Sequence, residues 1–185
     1  MVNAVLIVAA GSGERAKGAE DGPPKQFRLL GGKPVLRWSL EAFARHPRIG
    51  RVLAVIRAAD RPLYEAGAAG LPLPAPCLGG TTRQHSVRHG LEAMAGDPPA
   101  RILINDAARP FVSAALIDRV LDALDEVEAS TPLLPVADTL RRECATGYEA
   151  VSRTGLVRAQ TPQGFDYAAI LAAHRRVSVP WLTVL

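Results

Sequence analysis

Three short segments of this 185-residue chain carry residue types suited to phosphate chemistry. The first reads Ala9-Ala10-Gly11-Ser12-Gly13-Glu14-Arg15-Ala16, with Lys17 just beyond and Pro24-Lys25-Gln26-Phe27 closing it. Glycines at 11 and 13 let backbone N–H groups come close to an anion, and Arg15, Lys17 and Lys25 bring positive charge. The segment lacks the Gly-Lys-Ser/Thr ending of a Walker A loop. Gly11-x-Gly13-x-x-Ala16 matches a dinucleotide fingerprint, but that motif works only where a helix opens inside it. Gly18, Gly22, Pro23 and Pro24 prevent a long helix here. Taken alone, the loop fits either an anion cradle or a solvated basic turn. The second segment, Gly79-Gly80-Thr81-Thr82-Arg83-Gln84-His85-Ser86, is a glycine turn opening a helix. The third, Asn105-Asp106-Ala107-Ala108-Arg109-Pro110, ends a strand in an acid close to an arginine, an arrangement that serves a ligand or a structural ion pair. Three loops of this kind on one sheet edge point to a single site for an anionic ligand.

The remaining reactive side chains form no such pattern. Cys77 and Cys144 make no C-x-x-C pair, which argues against a disulfide framework or a zinc site and for a reducing cytoplasm. His46 has no partner residues in sequence and reads, like the cysteines, as structural or solvent-facing. His85 and His89 are one helical turn apart without a third ligand, so they read as a polar helix face. Lys17 and Lys33 read as surface or turn residues.

Composition narrows the partners. The length suits one domain at roughly 150 residues each, and 48% hydrophobic with 22% charged residues is an ordinary globular balance. The net charge of +4 suits an anionic ligand, whereas 5% aromatic residues offer no stacking platform for nucleic acid. The apolar run Ala4 to Ala10 is far below the ~20 residues of a membrane span, and no basic residue precedes it as in a secretory signal. The sequence therefore predicts neither a nucleic-acid nor a membrane partner. All but three of the 22 basic residues are arginine, so Lys17, Lys25 and Lys33 stand out as compact point charges.

The elements that hold these segments alternate between strand and helix, the pattern of an α/β domain on a mainly parallel sheet. Strands are expected at Asn3 to Ala9, Arg51 to Arg57, Ala75 to Leu78 and Ile102 to Asn105. Helices are expected from Pro34 to Arg45, from Asp60 to Ala69, and from a cap at Thr81 or Thr82 to about Ala95. A further helix runs from a Ser113 cap to about Ala129 with Leu116, Val120, Leu124 and Val127 inward. From Thr131 the pattern becomes extended, with a turn around Gly147, and reads as a protruding arm over 136–160. Asp166 to Arg176 is a final helix.

Together, Ala9-Ala10-Gly11-x-Gly13-x-Arg15 with Pro24-Lys25-Gln26, Gly79-Gly80-x-x-Arg83-x-x-Ser86-Val87, Asp106-Ala107-Ala108-Arg109-Pro110, Pro135-Val136-x-Asp138-Thr139 and Thr161-Pro162-Gln163 resemble the 2-C-methyl-D-erythritol 4-phosphate cytidylyltransferase family, in order over about residues 3 to 170. The resemblance implies a Rossmann-like nucleotidyltransferase sheet with helices on both faces and a protruding β-arm. It implies that CTP is joined to methylerythritol phosphate with release of pyrophosphate, using Mg2+ held mainly by the CTP phosphates, so that the protein supplies no metal ligands. Arg15 and Lys25 match the family's catalytic transition-state stabilisers. Ala9, Ala10, Gly11, Gly80, Thr81, Ser86 and Asp106 match its CTP-binding positions, and Asp106, Arg109, Thr139 and Arg153 its positions around the acceptor. A homodimer through the arm is implied as well. A cytidylyltransferase for another polyol phosphate such as ribitol 5-phosphate would share the CTP loops, and a non-catalytic CTP-binding fragment would share them without turnover. Relatives often carry an acid where Thr81 stands. The family's later acidic turn and Asn-x-Lys-x-Thr segment have no counterpart, so the 1–185 domain is expected to lack the family's C-terminal segment and to bind CTP with poor turnover.

Overall fold

The computed structural model describes residues 2–11 and 22–176. Its elements are β1 (Asn3–Val8), β2 (Leu29–Leu30), β3 (Lys33–Pro34), α1 (Val35–Ala44), β4 (Arg51–Ile56), α2 (Arg61–Ala68), β5 (Cys77–Leu78), α3 (Arg83–Glu92) and β6 (Arg101–Asp106). There follow α4 (Ala114–Ala123), β7 (Ala129–Ser130), β8 (Leu133–Pro135), β9 (Leu140–Cys144), β10 (Gly147–Val151), β11 (Val157–Ala159), β12 (Gln163–Asp166) and α5 (Tyr167–Arg176). A six-stranded sheet is ordered β5-β4-β1-β6-β12-β7. β5, β4, β1 and β6 are parallel, while β12 runs antiparallel to both β6 and β7.

The alternation of side chains along a strand explains the two-sided core. Val5 and Ile7 of β1 point into one layer with Leu36, Leu40 and Phe43 of α1 and Ile117, Val120 and Leu121 of α4. Ala4 and Leu6 point into the other, with Val87 and Leu91 of α3 and Tyr167 and Leu171 of α5. A strand buried on both faces must be apolar at every position, and Ala4–Ile7 are fully buried. Gly90 lets α3 lie close to the sheet, since a Cβ there would sit 2.3 Å from Leu6 Cδ1. Helix starts follow local chemistry: Thr82 accepts from the His85 N–H, Ser113 from the Leu116 N–H and Asp166 from the Ala169 N–H.

Several elements are shorter than their sequence signals. β5 begins at Cys77, α3 ends at Glu92 and α4 ends at Ala123. Val127 therefore lies beyond α4 and is 52% exposed, and the buried stripe of that helix is Ile117, Val120 and Leu121, continued by Leu124 at its C-cap. The arm contains the expected hairpin, β9 against β10 with Gly147 at φ 130°, and a second ladder of β8 against β11. β12 was hidden in the sequence, because Gln163-Gly164-Phe165-Asp166 has neither apolar alternation nor β-branched residues. It enters the sheet where Gly164 leaves room, since a Cβ there would meet Val120 Cγ1 at 2.7 Å. Among the described residues no helix is long and apolar enough to cross a membrane.

Lys33 is no mere surface lysine. Its Nζ lies 3.1 Å from Glu41 Oε2 and 4.8 Å from the centroid of the Trp38 ring. Glu41 is buried and also meets Arg37 at 2.7 Å and Arg45 at 3.5 Å. Burial pushes the Glu41 carboxyl up, but hydrogen bonds from Lys33 and Arg37 with the charges of Lys33 and Arg45 outweigh it and hold the group below its ordinary value. A depressed carboxyl contributes stability that is complete above the unfolded-state value near 4.5 and is lost as pH falls through the lower folded value. Chemical denaturation between pH 7 and pH 3 should therefore show stability falling below about pH 4.5. The Glu41→Gln variant should be less stable at pH 7 and show a shallower fall; an unchanged slope would remove Glu41 from the account.

Candidate nucleotide site

The parallel register brings the three loops to one edge. Val8 is the partner of both Val55 and Asp106, so β1, β4 and β6 end level with one another. The chain then crosses between neighbours: the Ala9 N–H donates to Val55 C=O at 2.7 Å, the Gly79 N–H to Ile56 C=O at 2.8 Å and the Ala107 N–H to Val8 C=O at 3.0 Å. This is the carboxyl edge of an open α/β sheet, where such folds bind ligands.

The loop after β1 is gripped by a residue to which the sequence reading gave no role. Gln26 is buried, and its Nε2 donates to Ala9 C=O at 2.8 Å and Gly11 C=O at 3.1 Å. It sits in the 3-10 turn Lys25–Phe27, which Phe27 anchors in the core. Lys25 is thereby set beside the loop with its side chain exposed, and among the described residues it makes no ion pair. Arg15 and Lys17 lie outside the described residues.

The glycine turn after β5 packs directly on this loop. A Cβ on Gly79 would stand 2.5 Å from Ala10 Cβ and 2.8 Å from Ser86 Oγ, and one on Gly80 would stand 2.5 Å from His85 Cβ. Ser86 is buried; its hydroxyl accepts from the Gly80 N–H at 3.1 Å and donates to Thr82 C=O at 2.9 Å. Ser86 thus shapes the turn from behind. Thr82 caps α3, while the exposed Thr81 hydroxyl lies 3.1 Å from His85 Nδ1. His89 donates from Nδ1 to Leu78 C=O at 3.1 Å, so the two histidines serve their own turn. His46 lies elsewhere, buried, with Nδ1 accepting from the Arg48 N–H and Nε2 3.6 Å from Asp118.

Asp106 is the acidic centre of the third loop. Arg83 donates to Oδ1 from Nε at 3.2 Å and from Nη2 at 2.9 Å, and Arg109 reaches Oδ2 from Nε at 3.4 Å. Arg109 also donates to Gln160 Oε1, linking this loop to the root of the arm. A second link lies beneath: the Thr161 hydroxyl donates to Asn105 Oδ1 at 3.0 Å and accepts from the Asp106 N–H at 3.3 Å. Thr139 and Arg153 are exposed in the arm, where Arg153 donates to Ala137 C=O. Among the described residues neither bonds to the three loops.

His174 of α5 stands near the start of α3. Burial first, and then the charges of Arg83 and Arg88, push its imidazole below the ordinary value. An open apolar groove of about 610 Å³ beside Ala95, Pro98 and Leu171 lies toward the opposite sheet edge and shares none of the loop residues. Among the described residues no group of three His, Cys, Asp or Glu side chains is arranged to hold a metal ion.

This arrangement matches known proteins over most of the chain. The family model described as 2-C-methyl-D-erythritol 4-phosphate cytidylyltransferase matches residues 3–183. A bifunctional enzyme IspD/IspF of Mesorhizobium japonicum is 51% identical over 174 residues, covering 92% of this chain and 42% of that protein. Its counterpart in Rhodospirillum rubrum is 50% identical over 182 residues, covering 97% and 47% respectively. The chain thus spans less than half the length of these curated relatives. The crystal structure of 2-C-methyl-D-erythritol 4-phosphate cytidylyltransferase from Thermus thermophilus superposes with a TM-score of 0.76 at 37% identity, covering 95% of this chain and 75% of that one. With five motifs in order, the same sheet and this extent of identity, the chain belongs to the 2-C-methyl-D-erythritol 4-phosphate cytidylyltransferase family.

Proposed function

We propose that the chain transfers a cytidylyl group from CTP to 2-C-methyl-D-erythritol 4-phosphate, giving 4-diphosphocytidyl-2-C-methyl-D-erythritol and pyrophosphate in the reducing cytoplasm, as a step of isoprenoid precursor synthesis. The observation that carries this reading is the grip of Gln26 on Ala9 and Gly11, which sets the exposed Lys25 beside a backbone-rich loop at the ligand edge. In the reaction, an oxygen of the acceptor phosphate attacks the α-phosphorus of CTP in line. A P–O bond forms as the α–β anhydride bond breaks, and pyrophosphate carries away the electron pair. Two anions must meet while charge gathers on phosphorus, so positioning and fixed positive charge are the terms a protein can supply.

Lys25 provides that charge, joined by Arg15 on the strength of the resemblance. The loop from Ala9 to Gly11 and the turn at Gly80 and Thr81 form a close wall whose backbone groups suit the edge of a cytosine and crowd out a purine. Ser86 keeps Gly80 in place from behind. Asp106 accepts from the ribose, and Arg109 meets the acceptor from the same loop. For Mg2+, Asp106 is the carboxylate that the described residues of these loops offer. Both its oxygens already accept from arginines, a donor set that fits an ion held mainly by phosphate oxygens and water. Bound there, the ion supplies charge neutralisation and orientation of the pyrophosphate.

Thr139 and Arg153 are assigned to the methylerythritol phosphate of a second copy of the chain. Tyr148, Leu156 and Val157 of the arm and Leu133 and Leu134 of β8, which pairs with its β11, are exposed apolar residues, and a homodimer would cover them together with the open strand edges. Light scattering at micromolar concentration should return twice the monomer mass; a monodisperse monomer would exclude the dimer.

The activity is tested by pyrophosphate release from CTP with methylerythritol phosphate or ribitol 5-phosphate, beside CTP binding by calorimetry. Release dependent on methylerythritol phosphate is expected, and slow release beside firm CTP binding would match the poor turnover expected from the sequence. Release with ribitol 5-phosphate alone would reassign the acceptor, and binding without release would make the chain a CTP binder.

A further inference from the structure

We infer that Arg83 is a positioning residue that gives the nucleotide site its preference for a ribose, by fixing the carboxylate of Asp106. The inference rests on the cytidylyl-transfer reading, in which Arg83 has no role. Arg83 opens α3 just beyond the glycine turn, and both Nε and Nη2 donate to one oxygen, Asp106 Oδ1. A carboxylate oxygen accepts about two hydrogen bonds, so this single guanidinium fills Oδ1. Oδ2 faces Arg109 at 3.4 Å, a longer and weaker contact, and keeps room for another donor.

The backbone of Asp106 is fixed as well. Its N–H donates to Thr161, whose hydroxyl is held by the buried Asn105, and the Asn105 amide donates to Asp106 C=O at 3.1 Å. With main chain and Oδ1 both committed, Oδ2 is the oxygen presented to a ligand, on a side chain 33% exposed. An acid at the carboxyl edge of a parallel sheet is well placed to accept from ribose hydroxyls. When a ribose donates to Oδ2, the partner that yields is Arg109, with its long contact, while Arg83 holds. Lysine cannot replace Arg83, because one ammonium lacks the planar fork that places two donors on one oxygen.

The test is calorimetric titration of CTP and of 2′,3′-dideoxy-CTP into the parent chain and its Arg83→Lys and Arg83→Gln variants. Binding is the readout, so turnover is not required. The parent should prefer CTP by about tenfold or more, the worth of a hydrogen bond to a charged group. Both variants should lose that preference, CTP weakening by about tenfold while dideoxy-CTP binds as before. Recovery of CTP affinity in Arg83→Lys would make the residue a simple phosphate charge and overturn the proposal. So would an equal loss of both nucleotides, which marks general support of the fold, or a parent indifferent to the ribose hydroxyls. A parent that binds neither nucleotide overturns the cytidylyl-transfer reading itself and this role with it.

Discussion

Lys25→Ala is expected to lower turnover by about 10²–10³-fold while CTP affinity changes little, because removal of one preorganised electrostatic donor has that effect where charge develops only in the transition state. The lysine is exposed, yet the turn that carries it is not free to move. Gln26 is bonded to two carbonyls of the neighbouring loop, and Phe27 is sunk in the core. The ammonium therefore projects from a fixed turn beside the loop without committing to a partner among the described residues. Ground-state CTP is already solvated and paired with cation, so Lys25 adds little to its binding. Pyrophosphate release and calorimetric titration of the same variant separate the two effects. Equal losses in affinity and turnover would instead make Lys25 a ground-state phosphate ligand.

The second large effect is steric. Gly79→Ala is expected to reduce kcat/KM by about 10²-fold, the scale associated with displacing a site by 1 Å. The new methyl carbon would lie 2.5 Å from Ala10 Cβ and 2.8 Å from Ser86 Oγ. Neither contact can be relieved by rotating a side chain, since Ala10 Cβ is fixed to the backbone and Ser86 Oγ is engaged with Gly80 and Thr82. One of the two loops must move, and both belong to the proposed cytosine wall. Overpacking of this kind also costs about 1–3 kcal/mol of stability, so urea denaturation should accompany the kinetics. Gly96→Ala is the matched control: a Cβ there meets nothing within 4 Å, and kinetics and stability should remain those of the parent. Parent-like kinetics in Gly79→Ala would show that the close approach of the loops is dispensable.

The sequence by itself determined whatever depends on neighbours along the chain. Apolar runs and helical stripes gave the central strands and the helices, Thr82 and Ser113 capped theirs as side-chain chemistry requires, and the glycine loops fell at strand ends. Five ordered motifs identified the family. Tertiary structure alone decided matters of approach between distant segments. β12 is a strand because a gap between β6 and β7 accepts Gly164 against Val120, not because its residues prefer the extended form. Gln26 and Ser86 face inward because carbonyls and N–H groups of folded loops need partners there, a demand that no local spacing encodes. Arg83 and Asp106 are 23 positions apart, and Arg109 and Gln160 are 51 apart. Such pairs exist only once the sheet has set strand ends side by side, because a polar side chain's partner is chosen by distance in space and the chain's local pattern carries no record of it.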